Sequence, residues 1–221
     1  MRFSVALLAG CLLMACDGRD RAPASHSTRE TVSSAPPARS ETTQASAPPS
    51  PVTSPQALDW TLADSLALRF APDSFAALPP VVRADMRHRG CTVPQSPELK
   101  ERHNVISGAF IQAGQTDWAV LCSVKRVSRI LVYRAGRADV VDSLGRAEDL
   151  GYLQTIGGDT IGFSRLIGVA DGKYIEEHAA AYDGPKPPPI DHLGINDIFI
   201  GKASGIHYLY NGKWIGLLGA D

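Results

Sequence analysis

Residues 176–207 hold the densest set of groups able to do chemistry: Glu176, Glu177, His178, Asp183, Asp191, His192, Asn196, Asp197 and His207. Imidazoles with carboxylates are the donor set of zinc, and carboxylates with amides are that of calcium. Used this way, the cluster would make a small metal-dependent hydrolase. The spacing speaks against it, because His178 and His192 are at no standard ligand interval and the prolines of PKPPPI stand between them. A polar loop in which Asp191 or Asp197 caps turns accounts for the same residues. Stiff prolines beside charged groups preorganise a surface, which is an argument for binding. The expected binding surface comprises Ser204, Tyr208, Asp191, His192 and Asp197, with no catalytic residue, metal or cofactor.

The motifs that would announce an enzyme are absent: HExxH, the P-loop, GxGxxG and the nucleophile elbow GxSxG. Gly162–Leu166, GFSRL, comes near the last but lacks its second glycine, and Ser164 is expected to point outward from a strand. Ser204-Gly205-Ile206-His207-Tyr208, followed by Trp214, resembles the SGxxY loop of periplasmic lysozyme inhibitors, small lipoproteins whose serine and tyrosine plug an enzyme cleft. That resemblance implies inhibition through Ser204 and Tyr208. The helices expected here depart from that family's all-β barrel.

The N-terminus decides the compartment. Arg2 precedes an apolar run from Phe3 to Met14 that Asp17 closes. The run is shorter than the roughly 20 residues a spanning helix needs and suits a signal-peptide core. It resembles a bacterial lipoprotein signal, whose lipobox ends in the cysteine that becomes the lipidated first residue. Leu8-Ala9-Gly10-Cys11 matches letter by letter, and Leu13-Met14-Ala15-Cys16 more loosely. Cleavage before Cys11 leaves too little apolar length, so Cys16 is the favoured lipidation site. The resemblance implies a bacterial cell envelope protein, facing the periplasm and held to a membrane by its N-terminal lipid. A protein partner in the envelope is the further expectation.

Residues 1–15 are thus read as the signal peptide and 16–57 as a Ser-, Pro- and Ala-rich tether. The tether has no aromatic residue and is predicted to be disordered, because it cannot bury enough apolar surface to offset chain entropy. Residues 58–221 form one domain. A net charge of −1 argues against nucleic acid, and the basic set Arg83, Arg87, His88 and Arg89 reads as the solvated side of a helix. Of four cysteines, Cys91 and Cys122 remain in the domain, an even pair in an oxidising compartment and an expected disulfide.

The elements that must position these residues give an α+β fold: an antiparallel β-meander sheet with two or three helices. LDWTLADSLALRF reads as a helix capped by Asp59, with Trp60 and Leu68 on its apolar side. PPVVRADMRHRG is a helix with proline in the first turn and glycine after the last. NVISGAFIQ, DWAVLCSV, RILVYR and ADVVDSL follow as four strands, then GYLQTI and TIGFSRLIGVA as two more. DGKYIEEHAAAYDG recurs at helical spacing, with Asp171 as N-cap and Gly184 as stop. The chain ends in strands with an Asn211-Gly212 hairpin turn. GQTDWAVLCS…RILVYRAG echoes GINDIFIGKASGIHYLYNGK, aligning Asp117 with Asp197 and Tyr133 with Tyr210. TDWAVLC also resembles an FG-GAP-type repeat, but the Asp-rich calcium loop of that family is missing, so no metal is carried over.

Overall fold

The computed structural model describes residues 59–182 and 185–220. The expected signal peptide, Cys11, Cys16, the tether, Leu58, Asp183 and the helix stop Gly184 lie outside them. The described residues form an α+β fold with three α-helices and twelve strands, every strand pair antiparallel. None of the described helices is long and apolar enough to cross a membrane.

Helix α1 (Trp60–Leu66) starts where the Asp59 carboxylate accepts the Leu62 N–H at 2.9 Å, closing one of the unpaired donors of the first turn. It ends before Leu68, and both Trp60 and Leu68 are exposed, contrary to the sequence reading. Ala63 and Ala67 face the core instead, while Arg69 bridges buried Asp64 and Asp149 at 2.6 and 2.9 Å. Strand β1 (Arg69–Phe70) pairs with β2 (Val93–Pro94), on either side of helix α2 (Pro80–His88). Val82 and Met86 of α2 are fully buried, and Asp85 pairs with Arg89 one turn on.

Strands β3 (Val105–Gly108), β4 (Asp117–Val124), β5 (Val127–Tyr133) and β6 (Val141–Glu148) form the expected meander. β3 is shorter than NVISGAFIQ suggests. Past Gly108 the Phe110 and Ile111 N–H groups leave the ladder and donate to the Asp117 carboxylate, at 3.0 and 2.9 Å. TIGFSRLIGVA is also not one strand. β7 (Leu153–Gly157) and β8 (Thr160–Phe163) make a separate ribbon, and the chain then enters a second sheet as β9 (Arg165–Ala170). Ser164, at the break, is fully buried rather than outward; its hydroxyl lies 3.3 Å from Glu98 Oε2 and its N–H donates to the Tyr152 carbonyl.

Helix α3 (Gly172–Ala181) is capped by Asp171, as its spacing predicts. Strands β10 (Gly194–Phe199), β11 (Ala203–Tyr210) and β12 (Lys213–Leu218) complete the second sheet in the order β9, β10, β11, β12. The two echoing segments become β4–β5 and β10–β11, the central hairpins of two four-stranded meanders. Their aligned residues do not take matching places. Asp117 opens β4, far from its hairpin turn, whereas Asp197 faces Gly205 near the β10–β11 turn; Tyr133 faces Trp118, whereas Tyr210 faces Lys213 across β12.

Side-chain alternation along strands sorts the cores into layers. Val120, Cys122, Leu131 and Tyr133 meet Val82 and Met86 of α2 on one face of the first sheet. Ala119, Leu121, Ile130 and Val132 meet Ile167 and Ile195 of the second sheet on the other. The far face of the second sheet packs Ala170, Ile206 and Tyr208 against Ile175 of α3. The order is therefore α2, sheet, sheet, α3. The Cys91–Cys122 disulfide, with Cα atoms 5.2 Å apart, ties the loop after α2 to β4.

Candidate functional site

The most unusual residue of the described chain is Arg165, a guanidinium with no solvent exposure in an otherwise apolar strand. A buried charge is tolerated only when paired and hydrogen-bonded, and Arg165 meets that demand on every side. Its Nε and Nη2 donate to the two carboxylate oxygens of Asp197 at 2.8 and 2.6 Å. Its Nη1 donates to Ser128 Oγ at 2.8 Å, and Nη2 also reaches the Gly145 carbonyl. The Tyr152 ring covers it, with the guanidinium carbon 4.6 Å from the ring centre. β9 and β10 place Arg165 and Asp197 diagonally on the same face, toward the first sheet.

Gly145 explains how the opposite sheet approaches so closely. The β5–β6 register shifts between Ser128 and Ile130, and Gly145 takes a φ of +54°. A Cβ there would lie 2.7 Å from Arg165 Nη2 and 2.8 Å from Asp197 Oδ2, so the position admits only glycine.

Next to this network His207, on β11, places Nε2 3.6 Å from Asp197 Oδ2, and its side chain is about a quarter exposed. A crevice of about 550 Å³ opens here, lined by Tyr152, Phe199, Asp197, His207, Gly205 and Gly216. The Tyr152 and Phe199 rings stand 5.2 Å apart at 51°, and Lys202 Nζ lies 4.2 Å from the centre of the Phe199 ring. Gly205 faces Asp197 and Gly216 faces His207 in the ladders, so all four project from one side of the sheet. Burial pushes the Asp197 carboxyl up, but the hydrogen bonds of Arg165 and then of His207 outweigh it and hold the group below the usual carboxylate range. Burial, then the charge on Asp197, pushes the Tyr152 phenol up.

Of the five residues expected to form a binding surface, only Asp197 brings its side chain into this crevice. Ser204 and Tyr208 project from the opposite face of β11. Ser204 Oγ accepts the Ala220 N–H at 2.8 Å. Tyr208 is fully buried, its hydroxyl donating to Asp191 Oδ1 at 3.0 Å and its ring stacked on His192 at 4.3 Å. The SGIHY segment is thus the middle of a strand, with no exposed tyrosine to serve as a plug. The two ring nitrogens of His192 lie 3.0 and 2.9 Å from the carbonyl oxygens of Leu193 and Leu209, which leaves neither for a ligand. Asp191, His192 and Tyr208 strap the segment after the prolines onto the sheet.

The wider 176–207 cluster disperses in the same way. His178 stays on α3, its ring tilted against that of Tyr174 with centres 3.9 Å apart, and Glu177 pairs with Lys173. Among the described residues no group of three or more His, Cys, Asp or Glu side chains is placed to hold a metal ion. Ser204 projects from the opposite face of β11 to His207. What the crevice offers is hydrogen bonding beside aromatic surface. Sequence reading missed Arg165, Tyr152, Gly145 and the two crevice glycines; the one available signal was an arginine inside the apolar run TIGFSRLIGVA. Comparison with protein-family models, curated proteins and solved structures returns no match for this chain.

Proposed function

We propose that the protein is a lipid-anchored component of the bacterial cell envelope whose folded domain is a non-catalytic binding module. The observation that carries the binding reading is the crevice over the second sheet, where a prearranged Arg165–Asp197–His207 network borders an open, glycine-floored slot. Pockets with a few convergent polar groups on an apolar wall are the usual form of a ligand site. The Cys91–Cys122 bridge supports the compartment, since disulfides persist outside the reducing cytosol. The lipobox-like segment ending at Cys16 supports the anchor.

The test has two arms. Mass spectrometry of the mature protein should find Cys16 at the N-terminus carrying acyl chains, and Cys16→Ser should move the protein from the membrane to the soluble periplasmic fraction. An unmodified N-terminus, or a cytosolic protein, overturns the anchor. A photo-crosslinking residue installed at Gly216 should form adducts in living cells that the same residue at exposed Lys125 does not. Equal labelling at both positions overturns the binding module.

A further inference from the structure

Glycine in a strand forgoes side-chain packing and has a reason where another group must come close. Within this chain Gly145 has such a reason, because Arg165 and Asp197 fill the space a side chain would need. Gly205 and Gly216 have none. A Cβ built on either meets no protein atom within 4 Å, and neither has a left-handed backbone. Both lie exposed on adjacent strands, side by side with Asp197 and His207. The chain keeps a flat strip of bare backbone where a Cβ would meet nothing, and that strip is the crevice floor.

Chemistry narrows what lies on it. The Asp197 charge is met by the Arg165 fork, and Lys202 Nζ lies over the Phe199 ring that lines the crevice. The site is rich in hydrogen bonding. The Asp197 carboxylate keeps lone pairs beyond those facing Arg165 and only accepts, while the Tyr152 hydroxyl and the His207 ring both donate and accept. A ligand suited to it bears several hydroxyl or amide donors. The wall is aromatic and the floor flat, so the ligand must also present a broad apolar face. A pyranose ring meets both conditions: its C–H face packs on an aromatic ring or bare backbone, and its rim of hydroxyls reaches a carboxylate. The volume of about 550 Å³ suits one or two such rings.

We propose that the crevice is a saccharide-binding site, with Asp197 and His207 holding ring hydroxyls, Tyr152 and Phe199 forming the wall, and Gly205 and Gly216 the floor. This rests on the binding-module reading above and names the ligand class for it.

The mature chain from residue 16, made soluble by Cys16→Ser, is titrated with chitotriose, maltotriose, cellotriose, adenosine and trialanine at millimolar concentration, following amide NMR signals. At least one of the three saccharides should shift Gly145, Gly205 and Gly216 saturably. Gly216→Leu, whose Cβ has no protein atom within 4 Å, and His207→Ala should each weaken that binding about tenfold or more while the unfolding temperature stays within a few degrees. Saturable shifts at these glycines from adenosine or trialanine alone overturn the saccharide class and leave the binding module standing. No shift from any saccharide overturns it too, and the photo-crosslink at Gly216 then decides separately whether the module reading survives. Undiminished saccharide binding in Gly216→Leu places the site elsewhere and overturns this crevice.

Discussion

Arg165 and Asp197 show how one residue pair sets both stability and site. The guanidinium is fully buried and the carboxylate nearly so. Removing one partner of such a pair costs about 3–5 kcal/mol, because the other is left charged and unpaired. Asp197 titrates below the ordinary range in the folded protein. Its contribution is therefore fully present above the unfolded carboxyl pKa of about 3.9 and is lost as pH falls through the lower folded value. In Arg165→Met the fork is gone, so burial, the largest effect on Asp197, is opposed only by His207 and pushes the carboxyl up relative to the parent. The variant should be less stable than the parent by about 3–5 kcal/mol near neutral pH, and the gap should narrow steadily on acidification. Urea unfolding across a pH series measures this. A gap that is independent of pH would mean that Asp197 does not depend on Arg165 for its charge.

The hairpin turns illustrate how elements carry strain unequally. Asn211 and Gly212 turn β11 into β12 with φ of 50° and 75°, the residue pair that a two-residue hairpin with left-handed backbone prefers. Lys125 and Arg126 turn β4 into β5 with φ of 50° and 63°, and neither residue type favours that region. Arg126 also reaches Asp64 Oδ2 at 3.3 Å, whereas Lys125 is exposed. Lys125→Asn should therefore raise stability by about 0.5–1 kcal/mol, seen as a higher urea midpoint at unchanged slope. A lower midpoint would mean that Lys125 does more than turn the chain.

At the scale of the whole molecule, two sheets and two flanking helices give three cores, none of them large. Domains of this size are stable by only about 5–15 kcal/mol, so the bridge between Cys91 and Cys122 is a substantial share. Its 31-residue separation corresponds to about 3–4 kcal/mol in the chain-entropy account. Cys122→Ser should lower the unfolding temperature by roughly 10 °C, and a reductant should lower that of the parent by a similar amount without affecting the variant. Equal melting of parent and variant, with Cys91 found as a free thiol, would refute the bridge.

What could be read without coordinates was whatever depends on near neighbours along the chain. Asp59 and Asp171 cap helices because an N-cap acts within a turn. The β3–β6 meander follows from alternation and short turns, and Asn211-Gly212 marks its hairpin by local backbone preference alone. The disulfide was legible because Cys91 and Cys122 are the two cysteines within the residues read as the folded domain. The site was not legible in this way. Arg165, Gly145 and His207 are far apart in sequence and meet only once two sheets have stacked. Tyr208 and Asp197 both look like surface groups in a polar stretch, yet strand alternation and layering bury one beneath the prolines and turn the other toward a crevice. Which face of a strand meets a second sheet, and which meets a helix, is decided by packing between distant segments, and only the tertiary structure carries that information.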